Sequence, residues 1–258
     1  MASTASFAEI ILGRLGIGVQ PIQTSSKERA DFLATIANTV TLIEEKKKTE
    51  HPNADASRTA TLAAGRIHSS QILITHKNRL SGIIRKAADQ LASTATTITH
   101  DFRLIWLTAT GSNSLGKQQQ FMATVYGTTR IVELGNSKYR TCYFFRNSDF
   151  FRFRENLDGA VAARTDGKEL SATLCLNPLS PRYLGFKASP FMKAFASAVC
   201  DPVEDERAGL AFIVDGAIDR NNENSVLEFL QRKYSTKPLM NMDTGYSSVS
   251  VWVSMQER

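Results

Sequence analysis

Along the first hundred residues the apolar positions recur at helical spacing. Phe32, Leu33, Ile36, Ala37, Val40 and Ile43 follow a cap at Ser25 or Ser26 with Glu28 in the first turn, and predict a helix. That helix runs into the charged stretch Glu44-Glu45-Lys46-Lys47-Lys48 and stops near His51-Pro52-Asn53. A second, longer helix is expected from Asp55 or Ser57 to about Thr99. Within it Leu73, Leu80, Ile84, Ala87, Leu91 and Ile98 follow alternating steps of three and four, interrupted at Lys77 and Thr94. This stripe fits a helix lying on its own domain's core, and equally a coiled-coil seam through which the chain dimerises.

After His100 the period changes. Phe102 to Thr108 reads as a strand closed by Gly111-Ser112-Asn113, and a polar loop, Gly116 to Gln120, leads to a second strand over Phe121 to Val132. Tyr139 to Arg146, Leu170 to Leu176, Ala196 to Val203 and Gly209 to Asp215 are further strand candidates. Asn221 to Tyr234 has helical spacing, and Ser248 to Ser254 alternates with period two. Helices first and strands after make an α+β architecture, an antiparallel sheet flanked by helices.

Composition narrows the class. Apolar residues are 42% and charged residues 22% of 258, which is the balance of an ordered globular chain. The net charge of +6 favours anionic partners weakly and does not by itself name nucleic acid. Cys142, Cys175 and Cys200 are an odd number without a CxxC, and read as free thiols of a reducing compartment. The apolar stretch Phe7 to Val19 is too short and, with Glu9 and Arg14, too charged to span a bilayer. A cytoplasmic protein is expected.

Familiar catalytic signatures are missing: there is no phosphate-binding GxxxxGK[ST], HExxH or GxSxG. All four histidines, His51, His68, His76 and His100, lie at or before residue 100, and His68 and His76 are about 12 Å apart on the expected helix, too far to share a metal. No metal and no cofactor are implied. The densest chemical stretch runs from Tyr139 to Arg154, where Arg and aromatic residues interleave. It can stack a base and hold a phosphate, or it can be a strand with Phe inward and Arg in water. Glu204-Asp205-Glu206-Arg207, between Pro202 and Gly209, reads as a solvated hairpin turn.

Taken in order, these elements resemble a GAF domain, the PAS-related small-molecule sensor module. Asp158 to Leu170 resembles that family's G…GK stretch, and Asn177-Pro178-Leu179-Ser180-Pro181-Arg182-Tyr183 its Pro- and Tyr-containing segment. Phe195 to Val203 followed by Arg207 to Asp215 resembles its Ser-led strand, Pro-terminated turn and Gly-led strand ending in Asp. The resemblance covers about residues 60 to 236. It implies an N-terminal helical extension (1–56), a linking helix (57–99), a GAF-like domain (100–236) and a C-terminal strand extension (237–258). It also implies a ligand pocket lined by Tyr143, Phe145, Arg146, Phe151, Phe153, Arg154, Phe186, Phe191 and Phe195. Departures from the family count against bilin, haem and cyclic-nucleotide subtypes, since no His follows residue 100 and no Asn-Lys precedes Asp205-Glu206. The methionine-sulfoxide reductase subtype lacks its cysteine, because Gly159-Ala160-Val161-Ala162 holds none.

Three functions follow as expectations. The first is a non-enzymatic sensor whose GAF-like domain binds a small anionic or nucleotide ligand and signals through helix 57–99 to a partner or a second copy. The second is a nucleic-acid-binding protein that uses residues 139–154. The third is thiol redox chemistry at Cys142, Cys175 or Cys200, against which their apolar surroundings argue.

Overall fold

The computed structural model describes residues 5–22, 29–50, 52–136, 138–196, 198–242 and 247–253. In chain order the elements are α1 (Phe7–Arg14), β1 (Gly18–Pro21), β2 (Phe32–Ile36), β3 (Thr39–Lys48), α2 (Pro52–Ala63), β4 (His68–Leu73), α3 (Asn78–Ala95), β5 (Phe102–Thr110), α4 (Ser114–Tyr126), β6 (Thr129–Glu133) and β7 (Tyr139–Tyr143). They continue with α5 (Asp149–Arg152), β8 (Gly159–Thr165), β9 (Leu170–Leu176), α6 (Tyr183–Ala188), α7 (Pro190–Ala194), β10 (Val199–Cys200), α8 (Pro202–Arg207), β11 (Ala211–Ile213), α9 (Glu223–Tyr234), β12 (Leu239–Asn241) and β13 (Ser247–Trp252).

The fold is α+β, a large sheet flanked by helices, but its N-terminal third alternates helices with strands β1 to β4. Ala37 and Asn38 both adopt positive φ, 45° and 65°. That is the two-residue turn whose twist suits a tight hairpin, so β2 pairs antiparallel with β3 from Phe32–Ile43 to Ile36–Thr39. The spacing that suggested a helix over Phe32 to Ile43 loses to this turn and to the β-branched run Thr39-Val40-Thr41, which prefers a pleated surface. The proposed caps Ser25 and Ser26 and first-turn Glu28 lie outside the described residues.

The expected helix over 57–99 is also broken. Gly65 at φ 68° ends α2, β4 intervenes, and only α3 continues the stripe. Leu80, Ile84, Ala87 and Leu91 are buried against the protein's own sheet, while Leu73 stands exposed on β4. The expected seam is therefore not one continuous helix, and its α3 part is covered by the protein's own sheet rather than free to form a coiled coil. Residues 1–56 are no separate extension either, because β3 pairs with β5 along eight residues, from Thr41–Phe102 to Lys48–Ala109.

The main sheet has the order β1-β2-β3-β5-β8-β9-β10. It is mixed rather than antiparallel throughout, since β3–β5, β5–β8 and β9–β10 run parallel. A parallel pair needs a crossover, and α3 supplies it between β3 and β5. β5 is central and buried from Phe102 to Ala109. On one face, α3 and α4 pack over Leu42, Ile105, Leu107, Ala160 and Ala162. On the other, α1, α6 and α7 pack over Ile43, Leu104, Trp106, Val161 and Leu174. A smaller sheet, β11-β7-β6-β12, and the ribbon β13-β4 complete the molecule.

Three local expectations change as well. The second strand expected over Phe121 to Val132 is α4 followed by β6, with the supposed polar loop Gly116 to Gln120 inside the helix. Phe151 to Arg154 is no strand, because Ser148 accepts from the Phe151 amide and starts the short helix α5. The acidic run after Pro202 is α8, with Asp201 as cap and Pro202 in its first turn, where a missing N–H costs nothing.

Candidate functional site

Side chains alternate along β3, so Leu42, Glu44, Lys46 and Lys48 point toward α3 while Ile43 and Glu45 point toward α1. The charged run read as the end of a helix is thus split between two faces. Glu45 accepts a hydrogen bond from the Ala8 amide at the start of α1, 3.2 Å away. Glu44 is only 1% exposed, beside the polar end of the α3 face.

Three groups surround Glu44. The Lys46 ammonium pairs with its Oε1. Asp31, which directly precedes β2, lies close enough for its charge to raise the Glu44 carboxyl. Gln90 of α3 accepts from Lys46 Nζ at 3.1 Å. Glu44 Oε2 is buried and has no hydrogen-bond partner among the described residues. Burial pushes the Glu44 carboxyl up from 4.5 to about 7; Lys46 opposes that rise and Asp31 adds to it. A buried carboxylate with one orphaned oxygen is expensive to keep unless something completes it.

The local fold holds these groups in place from both sides. Asp31 Oδ2 accepts from the Glu45 amide at 2.7 Å, and the Asp31 amide donates to the Ile43 carbonyl at 3.0 Å. One helical turn of α3 anchors the segment before Asp31: Thr94 Oγ1 accepts from the Ala30 amide at 2.7 Å, and Gln90 Nε2 donates to the Arg29 carbonyl at 3.2 Å. The turn at Ala37-Asn38 sets the register that brings Asp31 opposite Glu44 and Glu45. The spacing is Asp31, twelve residues, then Glu44-x-Lys46 on one strand face.

Cations continue outward along this face. Burial lowers the Lys48 ammonium, and the neighbouring Arg79 and Lys77 lower it further. Burial likewise lowers Lys117, with Glu50 opposing and Lys48 and Arg58 adding. Lys48, Lys77, Arg79 and Lys117 make no salt bridge among the described residues, although Lys117 Nζ donates to the Thr110 carbonyl at 2.8 Å. Basic groups gathered this closely form a surface suited to a polyanion.

The donor set suits a hard dication. Among the described residues no group of three or more His, Cys, Asp and Glu side chains gathers around a metal position. Two carboxylates are what Mg²⁺ commonly takes from a protein, with waters and substrate phosphate oxygens completing its shell. Asp31 and Glu44 supply two carboxylates, and Glu44 Oε2 has no hydrogen-bond partner among the described residues.

The residues expected to line a GAF-like pocket do not come together. Tyr143 and Phe145 are in the core on the α3 side and Phe153 packs against it, whereas Phe186, Phe191 and Phe195 are in the core on the α1 side of the sheet. Phe151 is covered by the Arg154 and Arg220 guanidiniums, at 5.0 and 3.7 Å from its ring centre. Arg146 pairs with Glu223 at 3.3 Å on a polar cleft of about 400 Å³ that also meets Phe145. Tyr143 reaches a smaller cavity of about 200 Å³ with Cys200. Asp31, Glu44, Lys46 and Gln90 escaped the sequence reading because they were assigned to helices, where Asp31 and Glu44 share no neighbourhood. A two-residue turn flanked by β-branched residues, with an acid before the first strand and Glu-x-Lys ending the second, was the signal available. No helix among the described residues is long and apolar enough to cross a membrane. The chain matches no family model, no curated protein and no solved structure.

Proposed function

We propose that the protein is a divalent-metal-dependent phosphodiesterase acting on nucleic acid, with its reaction centre at Asp31, Glu44 and Lys46. The observation that carries this reading is Glu44: 1% exposed, one oxygen without a partner, and set between a second carboxylate and a lysine. A dication held by Asp31 and Glu44 would polarise the phosphodiester and lower the pKa of the attacking water. Lys46, fixed by Gln90, meets a non-bridging phosphoryl oxygen and stabilises the charge that builds as the water oxygen bonds to phosphorus and the ester P–O bond breaks. The attacking water gives its proton to solvent and the leaving alkoxide takes one from solvent. Glu45 is turned away toward α1 and takes no part. Lys48, Lys77, Arg79 and Lys117 hold the flanking backbone, without reading sequence. This site lies on β3 and α3, not on the Arg/aromatic stretch 139–154.

The test is cleavage of end-labelled single- and double-stranded DNA and RNA with Mg²⁺ or Mn²⁺, with and without EDTA. Metal-dependent cleavage is expected in the wild type, abolished in Lys46→Met and in Asp31→Asn, and weakened steeply by salt for substrate binding. Cleavage that survives both substitutions, or no cleavage of any of the four substrates with either metal, overturns the assignment.

A further inference from the structure

Strand β10 contributes only Val199 and Cys200 to the edge of the main sheet, and its register sets Cys200 directly opposite Cys175 of the parallel strand β9. Directly opposed residues on neighbouring strands project to the same face and are separated by about one strand spacing, roughly 4.8 Å, which lies within the Cα range that a disulfide bridges. In this reduced state the Cys175 thiol faces the Thr173 carbonyl at 4.0 Å and the Cys200 thiol faces Tyr143 Oη at 3.6 Å. Cys175 is fully buried, while Cys200 is half-buried and lines the cavity of about 200 Å³ formed with Tyr126, Tyr143 and Met122. A molecule the size of hydrogen peroxide can therefore meet Cys200 and not Cys175.

The surroundings divide the roles. Tyr143 Oη stands 3.6 Å from Cys200 Sγ and donates to Asp205 at 2.6 Å, and Tyr126 Oη donates to the Cys200 carbonyl at 3.1 Å. Cys175 lowers the Cys200 thiol against the effects of burial and of the Asp205 charge, whereas the same pairing together with burial raises Cys175. Cys142 is buried on β7 and its thiol is pushed up by burial alone, with Lys233 opposing.

We propose that Cys200 and Cys175 form a peroxide-reactive pair, Cys200 the attacking thiol and Cys175 the resolving one, which closes to an intramolecular disulfide between β10 and β9. In the first step Cys200 sulfur bonds to one peroxide oxygen, the O–O bond breaks, and the departing hydroxide takes the thiol proton as water, leaving a sulfenic acid. In the second, Cys175 sulfur attacks Cys200 sulfur, the S–O bond breaks, and the hydroxide leaves with the Cys175 proton as a second water. The thiols lose two electrons and two protons, and the peroxide is reduced to two waters. The pair lies apart from Asp31, Glu44 and Lys46, so the inference stands independently of the phosphodiesterase.

The test treats the reduced full-length protein with hydrogen peroxide, removes the peroxide, blocks remaining thiols with iodoacetamide in denaturant so that buried thiols also react, and reads the intact mass and the peptide map without reductant. The expected product has lost two hydrogens, carries a linked peptide pair containing Cys175 and Cys200, is alkylated only at Cys142, and returns to three thiols with dithiothreitol. Cys175→Ser is expected to stop at a Cys200 sulfenic acid trapped by dimedone, and Cys200→Ser to leave Cys175 reduced. Three alkylatable thiols in peroxide-treated wild type, a disulfide between molecules on a non-reducing gel, or equal oxidation of Cys175 in Cys200→Ser overturns the proposal. The wild-type mass decides it even where a variant fails to fold.

Discussion

Replacing Glu44 by Gln tests whether this carboxylate is kept for chemistry or for structure. Its pKa of about 7, against 4.5 for the free side chain, means that the folded chain binds a proton that the unfolded chain does not between those two values. The contribution of this group to stability is present below pH 4.5 and lost as pH rises through 7. At about 1.4 kcal/mol per pH unit, the cost of ionising the buried carboxylate is on the order of 2–3 kcal/mol at pH 8, with desolvation as its main cause and Lys46 offsetting part of it. Glu44→Gln removes that cost while still offering Lys46 an oxygen. At pH 8 without divalent metal the variant should melt roughly 4–8 °C above wild type, and at pH 5 the two should nearly coincide. Adding Mg²⁺ should stabilise the wild type, by about 2.7 kcal/mol at one hundred times the dissociation constant, and leave the variant unchanged. Because metal and proton compete for the same oxygens, apparent Mg²⁺ affinity in the wild type should fall about tenfold for each pH unit below 7. The assay is thermal or urea unfolding of both proteins at the two pH values, with and without MgCl₂. A variant destabilised equally at pH 5 and pH 8, with a wild type indifferent to Mg²⁺, would show that Glu44 is a structural ion-pair partner and refute the reasoning.

Three further outcomes follow from the same geometry. Leu91→Ala empties a fully buried position between α3 and the sheet and should cost about 2–5 kcal/mol in urea unfolding with no change of oligomeric state by light scattering; dimer dissociation without loss of monomer stability would restore the seam as an interface. Ala37→Gly relieves a side chain held at φ 45° in the turn and should stabilise by about 0.5–1 kcal/mol, whereas a loss of stability would mean that the turn is not formed as described. Asp149 is fully buried, and burial raises its pKa from 3.8 to about 6 against the hydrogen bond from Ser81 and the charge of Arg152. Its contribution is present below pH 3.8 and lost as pH rises through 6, so Asp149→Asn should flatten the decline in urea midpoint between about pH 4 and pH 6; an unaltered slope there would remove Asp149 as a source of it.

Much of the second half was legible because its elements carry their own limits. Phe102 to Thr108 and Leu170 to Leu176 are short apolar runs that end at Gly or Pro, and both are strands; Asn221 to Tyr234 contains α9, capped by Asn222. The reading failed where two periods competed. Between Phe32 and Ile43 the apolar positions satisfy a helical template, and only pairing across Ala37-Asn38 makes the strand alternative the more stable one. That error hid the candidate site, since Asp31 and Glu44 are thirteen positions apart in a helix and neighbours in a hairpin.

Taken by itself, the sequence determined what depends on local chemistry: a mixed α+β chain, a buried apolar stripe on α3, an Arg-rich aromatic segment and three unpaired thiols. Where each of these lies was decided by pairings between residues far apart in the chain. The parallel neighbour β5 locks β3 into a sheet, the covered stripe of α3 faces that sheet instead of a second copy, and the aromatic residues divide between two cores. The burial that lifts Glu44 to about 7 arises the same way, from α3 and β2 closing over a single strand face. Desolvation and charge proximity are properties of three-dimensional neighbours, and no spacing along the chain specifies them until the register is set.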